Sequence, residues 1–455
     1  MVTKDASKVK ILSLPTLYPA VQARAYDSFV QHQHSSDKNR AIQKFDNVLL
    51  FTHMPSHEDD DRLRNHLGVD SSIEMSLVST TVPSRAFIYF YTTYTLVTAP
   101  VWLAAAAIYY IPRFLRPNPA WSWKRAFHCS FANAAMKYWT TVQQLWPKPL
   151  EAGSLGNRFI VLNPQKSITR KTENGQENIE EVYKGITRSV PGVEPLPVGG
   201  IWFPQAPAET PRRLIIHFYR SAYVMFGSRP GETCDVGIEE LSKVSGWPAL
   251  SVQYRLSRDK KTTFPAALQD GITAYVYALE VLKISPSQIA FAGDWAGGNL
   301  AMALLRYLKE EDTALPLPRC VVLSSPWVDM TAKAIADAPL NRNYNIDYVK
   351  QDFMAWGATA FIPTGWDGNN PWFTILGNEL QLGIPVFIGT GTSELLYDDI
   401  LKFATNLREK VNDVEVLETL HSCHIPYQLG KEWDQEEDQA ICMAAITKFL
   451  ERTGK

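Results

Sequence analysis

Strand-like and helix-like segments alternate from residue 156 to residue 455 and predict an α/β fold there. The expected core is a mostly parallel central sheet flanked by helices, with a lid-like insertion and an N-terminal helical or membrane segment ahead of it. Three observations carry this. Runs rich in β-branched and aromatic residues recur as FIVLNP, GGIWFP, RLIIHFY, PALSVQY, QIAFAGD, RCVVLSS, PVFIGTG and VEVLETL. The amphipathic runs VGIEELSKVSG, FPAALQDGITAYVYALEVL, AGGNLAMALLRYLKEE, LYDDILKFATNLREK and QAICMAAITKFLER complete the alternating pattern. Most strand runs are apolar throughout, as expected of a sheet buried on both faces. The opening strands have no long helices between them, so that edge is expected to be antiparallel. The long aromatic segment 329–377 is expected to form part of a lid over the carboxyl edge of the sheet.

Composition bounds the rest. The chain has 455 residues, room for two or three domains at about 150 residues each, or for one large domain with extensions. With 45% hydrophobic and 20% charged residues it is not a disordered, collagen-like or repeat-dominated chain. A net charge of −2 offers no electrostatic basis for binding nucleic acid. The five cysteines, Cys129, Cys234, Cys320, Cys423 and Cys442, are scattered and form no CxxC pair. They indicate neither a zinc ribbon nor a disulfide framework, and fit a reduced, intracellular-facing protein.

Four segments follow in order. Residues 1–85 form a mixed extension in which His53 and His57 lie near the acidic run at Asp59, Asp60 and Asp61, a solvated loop rather than a metal site. Residues 86–112 carry no charge: AFIYFYTTYTLVTAPVWLAAAAIYYIP. This exceeds the roughly 20 residues a membrane span requires. Its start is too late for a signal peptide. Thr92, Thr93, Thr95 and Thr98 are polar and Pro100 is expected to kink the helix, so a helix lying on the protein or in the membrane interface is the alternative. Arg113, Arg116, Lys124 and Arg125 follow this run while only Arg85 immediately precedes it. For a single-pass segment the positive-inside rule then turns the C-terminal domain towards the cytoplasm. Residues 113–155 form a Trp-rich linker and helical region, and 156–455 the α/β domain.

Strand QIAFAGD runs into Gly293-Asp294-Trp295-Ala296-Gly297-Gly298-Asn299 and then a helix. This is the context of a nucleophile elbow, G-x-S-x-G, whose glycines let strand and helix approach through a sharp, strained turn. The central residue should be serine. Here it is Trp295, which has no nucleophilic atom.

From residue 156 onward, about two-thirds of its length, the chain resembles the α/β-hydrolase superfamily, in its hormone-sensitive-lipase-like branch and particularly fungal members with an N-terminal membrane segment. The likeness rests on YRLSRDKKTTFPAALQDGITAYVYAL, on GDWAGGNLA against GDSAGGNLA, on SSPWVDM and on GTSELLYDDILKFA. It implies that the acid of a triad falls on Glu394 and the histidine on His424, with His421 the weaker candidate. The nucleophile position falls on Trp295. The oxyanion segment, HGGG or HGGA in the family, falls on Tyr219-Arg220-Ser221-Ala222. Base and orienter are kept, while nucleophile and glycine-built oxyanion hole are lost. Loss of the nucleophile alone costs such triads about a millionfold, which excludes ordinary esterase action through Trp295.

Trp295, with Asp294 and Ala296 beside it, and Tyr219, Arg220 and Ser221 are therefore expected to bind a ligand or substrate. His424 oriented by Glu394 is expected to be able to move protons without a covalent step. Ser221, Ser393 and Cys423 are considered as replacement nucleophiles, but none occupies the elbow. No cofactor is implied, and His421, Cys423 and His424 lack a fourth ligand for a metal. Three functions follow. The first is non-hydrolytic catalysis (cyclisation, condensation, dehydration or isomerisation of a small apolar carbonyl compound) in fungal specialised metabolism. The second is an inactive, membrane-anchored scaffold that binds a ligand or a biosynthetic partner enzyme. The third is hydrolysis through an unorthodox nucleophile.

Overall fold

The computed structural model describes residues 83–144, 149–171, 176–232, 234–311, 313–410 and 412–453. The extension expected before residue 83, with its histidines and acidic run, lies outside them. The described strands are β1 (Phe159–Leu162), β2 (Ser167–Lys171), β3 (Glu177–Glu181), β4 (Val198–Phe203), β5 (Leu214–Phe218), β6 (Ala249–Gln253), β7 (Ile289–Asp294), β8 (Cys320–Ser324), β9 (Val386–Gly391) and β10 (Val414–Thr419). The α-helices are α1 (Arg85–Tyr109), α2 (Trp123–Val142), α3 (Asp235–Ser245), α4 (Ala266–Val276), α5 (Ala296–Glu310), α6 (Ala332–Asp337), α7 (Gln351–Phe361), α8 (Tyr397–Glu409) and α9 (Glu436–Arg452).

Eight strands form one sheet in the order β1-β4-β6-β5-β7-β8-β9-β10. The β1–β4 and β4–β6 pairs are antiparallel and every later pair is parallel, as the missing early helices imply. Every residue of β5 (LIIHF) and β7 (IAFAGD) is buried. That is why these strands read as unbroken apolar runs rather than as alternation. The pairs α3–α9 and α4–α5 both touch the sheet, and α3 and α4 each contact β4 and β6, so they cover opposite faces. The hairpin β2–β3 is absent from the sequence reading. Its strands SITRK and ENIEE are polar, and β3 is mostly exposed, so no apolar period marks it.

Ser84 caps α1, accepting from the Phe87 amide at 3.2 Å. Among the described residues one helix, α1, is long and apolar enough to cross a membrane by length and composition. It runs continuously through Pro100. Thr95 and Thr98 donate to the carbonyls of Tyr91 and Tyr94, each at 2.8 Å, so their hydroxyls are satisfied within the helix. The helix does not stand away from the protein. It lies antiparallel along α2: the Thr92 and Tyr138 hydroxyls meet at 2.9 Å, and Trp123 Nε1 donates to the Ala107 carbonyl at 2.7 Å. Helix α2, inside the region expected as a linker, is tied to the α/β domain by Arg125–Asp438 (3.0 Å) and Lys137–Asp352 (3.1 Å).

Candidate functional site

The site lies where β7 gives way to α5, at the carboxyl edge of the parallel strands, the usual place for a site in this architecture. Trp295 occupies that turn with φ 47° and ψ −110°. A bulky side chain at positive φ is rare, and such strain costs about 1–3 kcal/mol. The surroundings hold it there. The Trp295 amide donates to the Ser324 carbonyl, and its own carbonyl accepts from the Trp327 and Asn299 amides, all at 3.0 Å. The flanking glycines are required by contact. A Cβ on Gly293 would meet the Gly297 carbonyl oxygen at 2.3 Å, and one on Gly297 the Phe218 carbonyl oxygen at 1.9 Å.

The Trp295 indole is 1% exposed. It stacks on Trp327 at 5.3 Å between centroids, meets Phe353 of α7 at 5.3 Å, and stands edge-on to the His424 ring at 5.2 Å. The insertion 329–377 thus supplies Phe353, and Tyr348 as well, to the site. His424 lies in the loop after β10, and its Nδ1 is 3.1 Å from Glu394 Oε2. Thr390 donates to the other carboxylate oxygen of Glu394. Burial resists charge on both partners: it pushes Glu394 up to about 7 and His424 down to about 4. Burial thus opposes the charged ion pair, and a neutral ring with Nδ1–H directed at Glu394 leaves Nε2 as its basic atom. His424 Nε2 and Trp295 Nε1 are buried with no hydrogen-bond partner among the described residues.

Asp347, which no sequence pattern marks, holds this arrangement from behind. Its carboxylate accepts from the backbone amides of Leu395 (2.8 Å), Tyr348 (2.8 Å) and His424 (3.3 Å). Ser325 Oγ accepts from the Ile425 amide at 3.0 Å. Asp294, beside the elbow, belongs to a separate buried network: its carboxylate meets His217 Nε2 at 3.0 Å, accepts from the Tyr427 hydroxyl at 2.5 Å, and is bonded by Gln428 Nε2. His217, Tyr427 and Gln428 also escaped the sequence reading, because each needs the fold to bring it to Asp294.

Tyr219 is buried and stacked on Tyr254 at 4.5 Å, with its hydroxyl 3.4 Å from the Tyr254 carbonyl. The Ser221 hydroxyl lies 2.6 Å from the Tyr254 hydroxyl and accepts from the Tyr223 amide at 2.7 Å. Ala222 and Tyr223 hold φ of 47° and 63°, so a left-handed turn persists without glycine. Aromatic packing supports it: Tyr223 stacks on Phe361 of α7 at 3.6 Å. Ala296 is fully buried at the start of α5. Arg220 Nη1 donates to the Tyr348 hydroxyl at 3.3 Å, and Tyr348 donates to the His424 carbonyl at 2.9 Å. Ser393 Oγ accepts from Asn118 at 3.0 Å, and Cys423 Sγ lies 3.4 Å from Cys129 Sγ. Among the described residues no three His, Cys, Asp or Glu side chains group to hold a metal ion.

Residues 216–427 match a family model described as alpha/beta hydrolase fold. The chain has the α/β-hydrolase fold. An esterase of the bacterial hormone-sensitive lipase family has the same fold, at a TM-score of 0.51 and 20% identity, over 74% of this chain and all of that one. Among curated proteins, an acetyl-hydrolase of Streptomyces hygroscopicus is 28% identical over 194 residues, 42% of this chain and 61% of its own length. An esterase of Acinetobacter venetianus is 26% identical over 262 residues, 56% of this chain and 81% of its own. The match thus spans about three-fifths of the acetyl-hydrolase. These relatives are named as hydrolases, while at the elbow of this hydrolase fold stands Trp295.

Proposed function

We propose that this protein is a hydrolase-fold relative of the esterases that does not cleave esters through its elbow, and that it serves by binding a ligand. The single observation carrying this reading is Trp295. Its indole occupies the space beside His424 where an elbow serine and its substrate carbonyl would meet, and it is closed in by Trp327 and Phe353. Acyl transfer needs nucleophile, base and oxyanion donors together. Here the nucleophile is replaced, and Arg220, Ser221 and Ala222 stand where the resemblance expects the glycines of the oxyanion segment.

Attachment to a membrane is part of the proposal. What supports an in-plane helix over an upright span is that α1 lies along α2, which is itself pinned to the α/β domain. The exposed face of α1 carries Tyr89, Phe90, Leu96, Val97, Val101 and Ile108. An apolar stripe of this kind suits burial in the headgroup region.

A second reading, non-covalent proton transfer on a carbonyl compound, is favoured by one feature: His424 is oriented by Glu394 and keeps Nε2 uncommitted. The test is incubation of the purified protein with a fluorophosphonate probe, followed by peptide mapping. Absence of any labelled serine is expected. A mapped labelled serine that also supports ester turnover would overturn the binding reading. Conversion of a candidate carbonyl compound that vanishes in His424→Ala would favour proton transfer.

A further inference from the structure

A cavity of about 650 Å³ lies beside the elbow and shares none of its lining with Trp295 or His424. Its volume falls inside the roughly 300–1,000 Å³ of small-molecule sites. The walls are apolar: Phe131, Met136 and Trp139 from α2, Phe226 from the turn after β5, and Leu429 from the segment after β10. Arg220 and Tyr348 bring polarity to the lining. The Arg220 guanidinium lies over the Phe226 ring at 5.7 Å and reaches the Tyr348 hydroxyl. The other charged residues lining it, Lys431 and Glu432, are exposed and opposite in sign.

We propose that this cavity binds a single-chain amphiphile with a carboxylate head, the head at Arg220 and the chain along Phe131, Met136, Trp139 and Leu429. Three observations meet here. A guanidinium in apolar surroundings favours an anion, and its planar fork matches a carboxylate. The wall is a chain-compatible aliphatic and aromatic surface. The cavity also adjoins exposed apolar side chains: its lining residue Phe131 is 48% exposed, and Trp123 on the same helix, with Ile111 and Phe114 in the segment joining that helix to α1, are exposed as well. An amphiphile resting in a membrane leaflet would reach the cavity from that surface. Arg220 stands where the family's oxyanion segment carries glycine, so this cation belongs to this chain's own departure. The inference rests on the binding reading above and gives it a ligand class.

The test uses the full chain in detergent-free buffer with phosphatidylcholine vesicles. Displacement of a fluorescent fatty acid, cis-parinaric acid, is read with oleate and with oleyl alcohol as competitors. Oleate is expected to compete at least tenfold better than oleyl alcohol. Arg220→Gln should remove that preference, and Met136→Trp, which fills the wall without touching Arg220, should weaken both competitors tenfold or more. Equal competition by oleate and oleyl alcohol in the wild type would overturn the proposal. So would undiminished oleate binding in Met136→Trp, even if Arg220→Gln fails to fold. Fluorophosphonate labelling of the same preparation separates the two claims: a labelled serine with ester turnover sinks the binding reading, whereas failed oleate binding in an unlabelled protein sinks only the ligand class.

Discussion

Restoring serine at the elbow, Trp295→Ser, separates what the site has kept from what it has lost. Truncating a buried tryptophan costs about 3–5 kcal/mol, and here the deleted indole touches Trp327, Phe353 and His424. Domain stabilities of about 5–15 kcal/mol absorb such a loss, so the variant should fold and melt roughly 10 °C lower. The new hydroxyl would sit beside a neutral imidazole oriented by Glu394, with Nε2 available. The variant should therefore be labelled by a fluorophosphonate where the wild type is not, and Trp295→Ser/His424→Ala should lose that labelling. Turnover is a different matter. Arg220, Ser221 and Ala222 stand where glycines were expected to bring the oxyanion donors close, and loss of one oxyanion donor costs about 10²–10³ in rate. Hydrolysis of p-nitrophenyl acetate should accordingly stay roughly 10²–10³-fold below the about 10 s⁻¹ of an ordinary enzyme. A folded variant that resists labelling would refute the claim that His424 is poised as a base. Turnover at an ordinary rate would refute the claim that an oxyanion donor is lost.

Three further outcomes are expected. In Glu394→Gln, His424 keeps a folded pKa of about 4 against its ordinary 6.5; the unfolded chain then binds more protons between those values, so stability is lost as pH falls from about 6.5 to about 4, by up to about 3 kcal/mol. In the wild type Glu394, raised from 4.5 to about 7, has the opposite slope, so urea midpoints at pH 4.5, 5.5 and 6.5 should be much flatter; equal slopes would sink the idea that burial opposes charge on both partners. Gly297→Ala places a Cβ 1.9 Å from the Phe218 carbonyl oxygen, whereas Gly271→Ala meets nothing closer than 3.4 Å; urea unfolding should show the first to be the more destabilised by at least about 1–3 kcal/mol, and similar losses would contradict the close approach. Asp294→Ala leaves His217, Tyr427 and Gln428 without their shared acceptor and should cost about 3–5 kcal/mol by urea titration, with a loss below about 1 kcal/mol counting against the network.

The central strands of the sheet were legible because burial on both faces leaves a continuous apolar run, the partly exposed β10 because its apolar residues alternate with glutamates, and their helices because an apolar stripe repeats along each. The hairpin β2–β3 was not, since its residues are polar and its pairing leaves no period. The apolar run 86–112 was legible as a helix, but composition could not say that it lies along α2. That is settled by contacts such as Thr92 with Tyr138, 46 residues apart in the chain.

The elbow glycines and the tryptophan between them were readable because local backbone geometry demands glycine on either side of a sharp turn. That local pattern also marked Trp295 at the position where the resemblance expects a serine. What the tertiary structure alone decided is what surrounds Trp295: His424, Phe353 and Trp327 reach it from three distant segments. Asp347 behind His424, and His217, Tyr427 and Gln428 around Asp294, are bonded across separations of 77 to 134 residues. A sequence records the chemistry each side chain carries, but the distance at which two such groups meet is set by the packing of the whole chain.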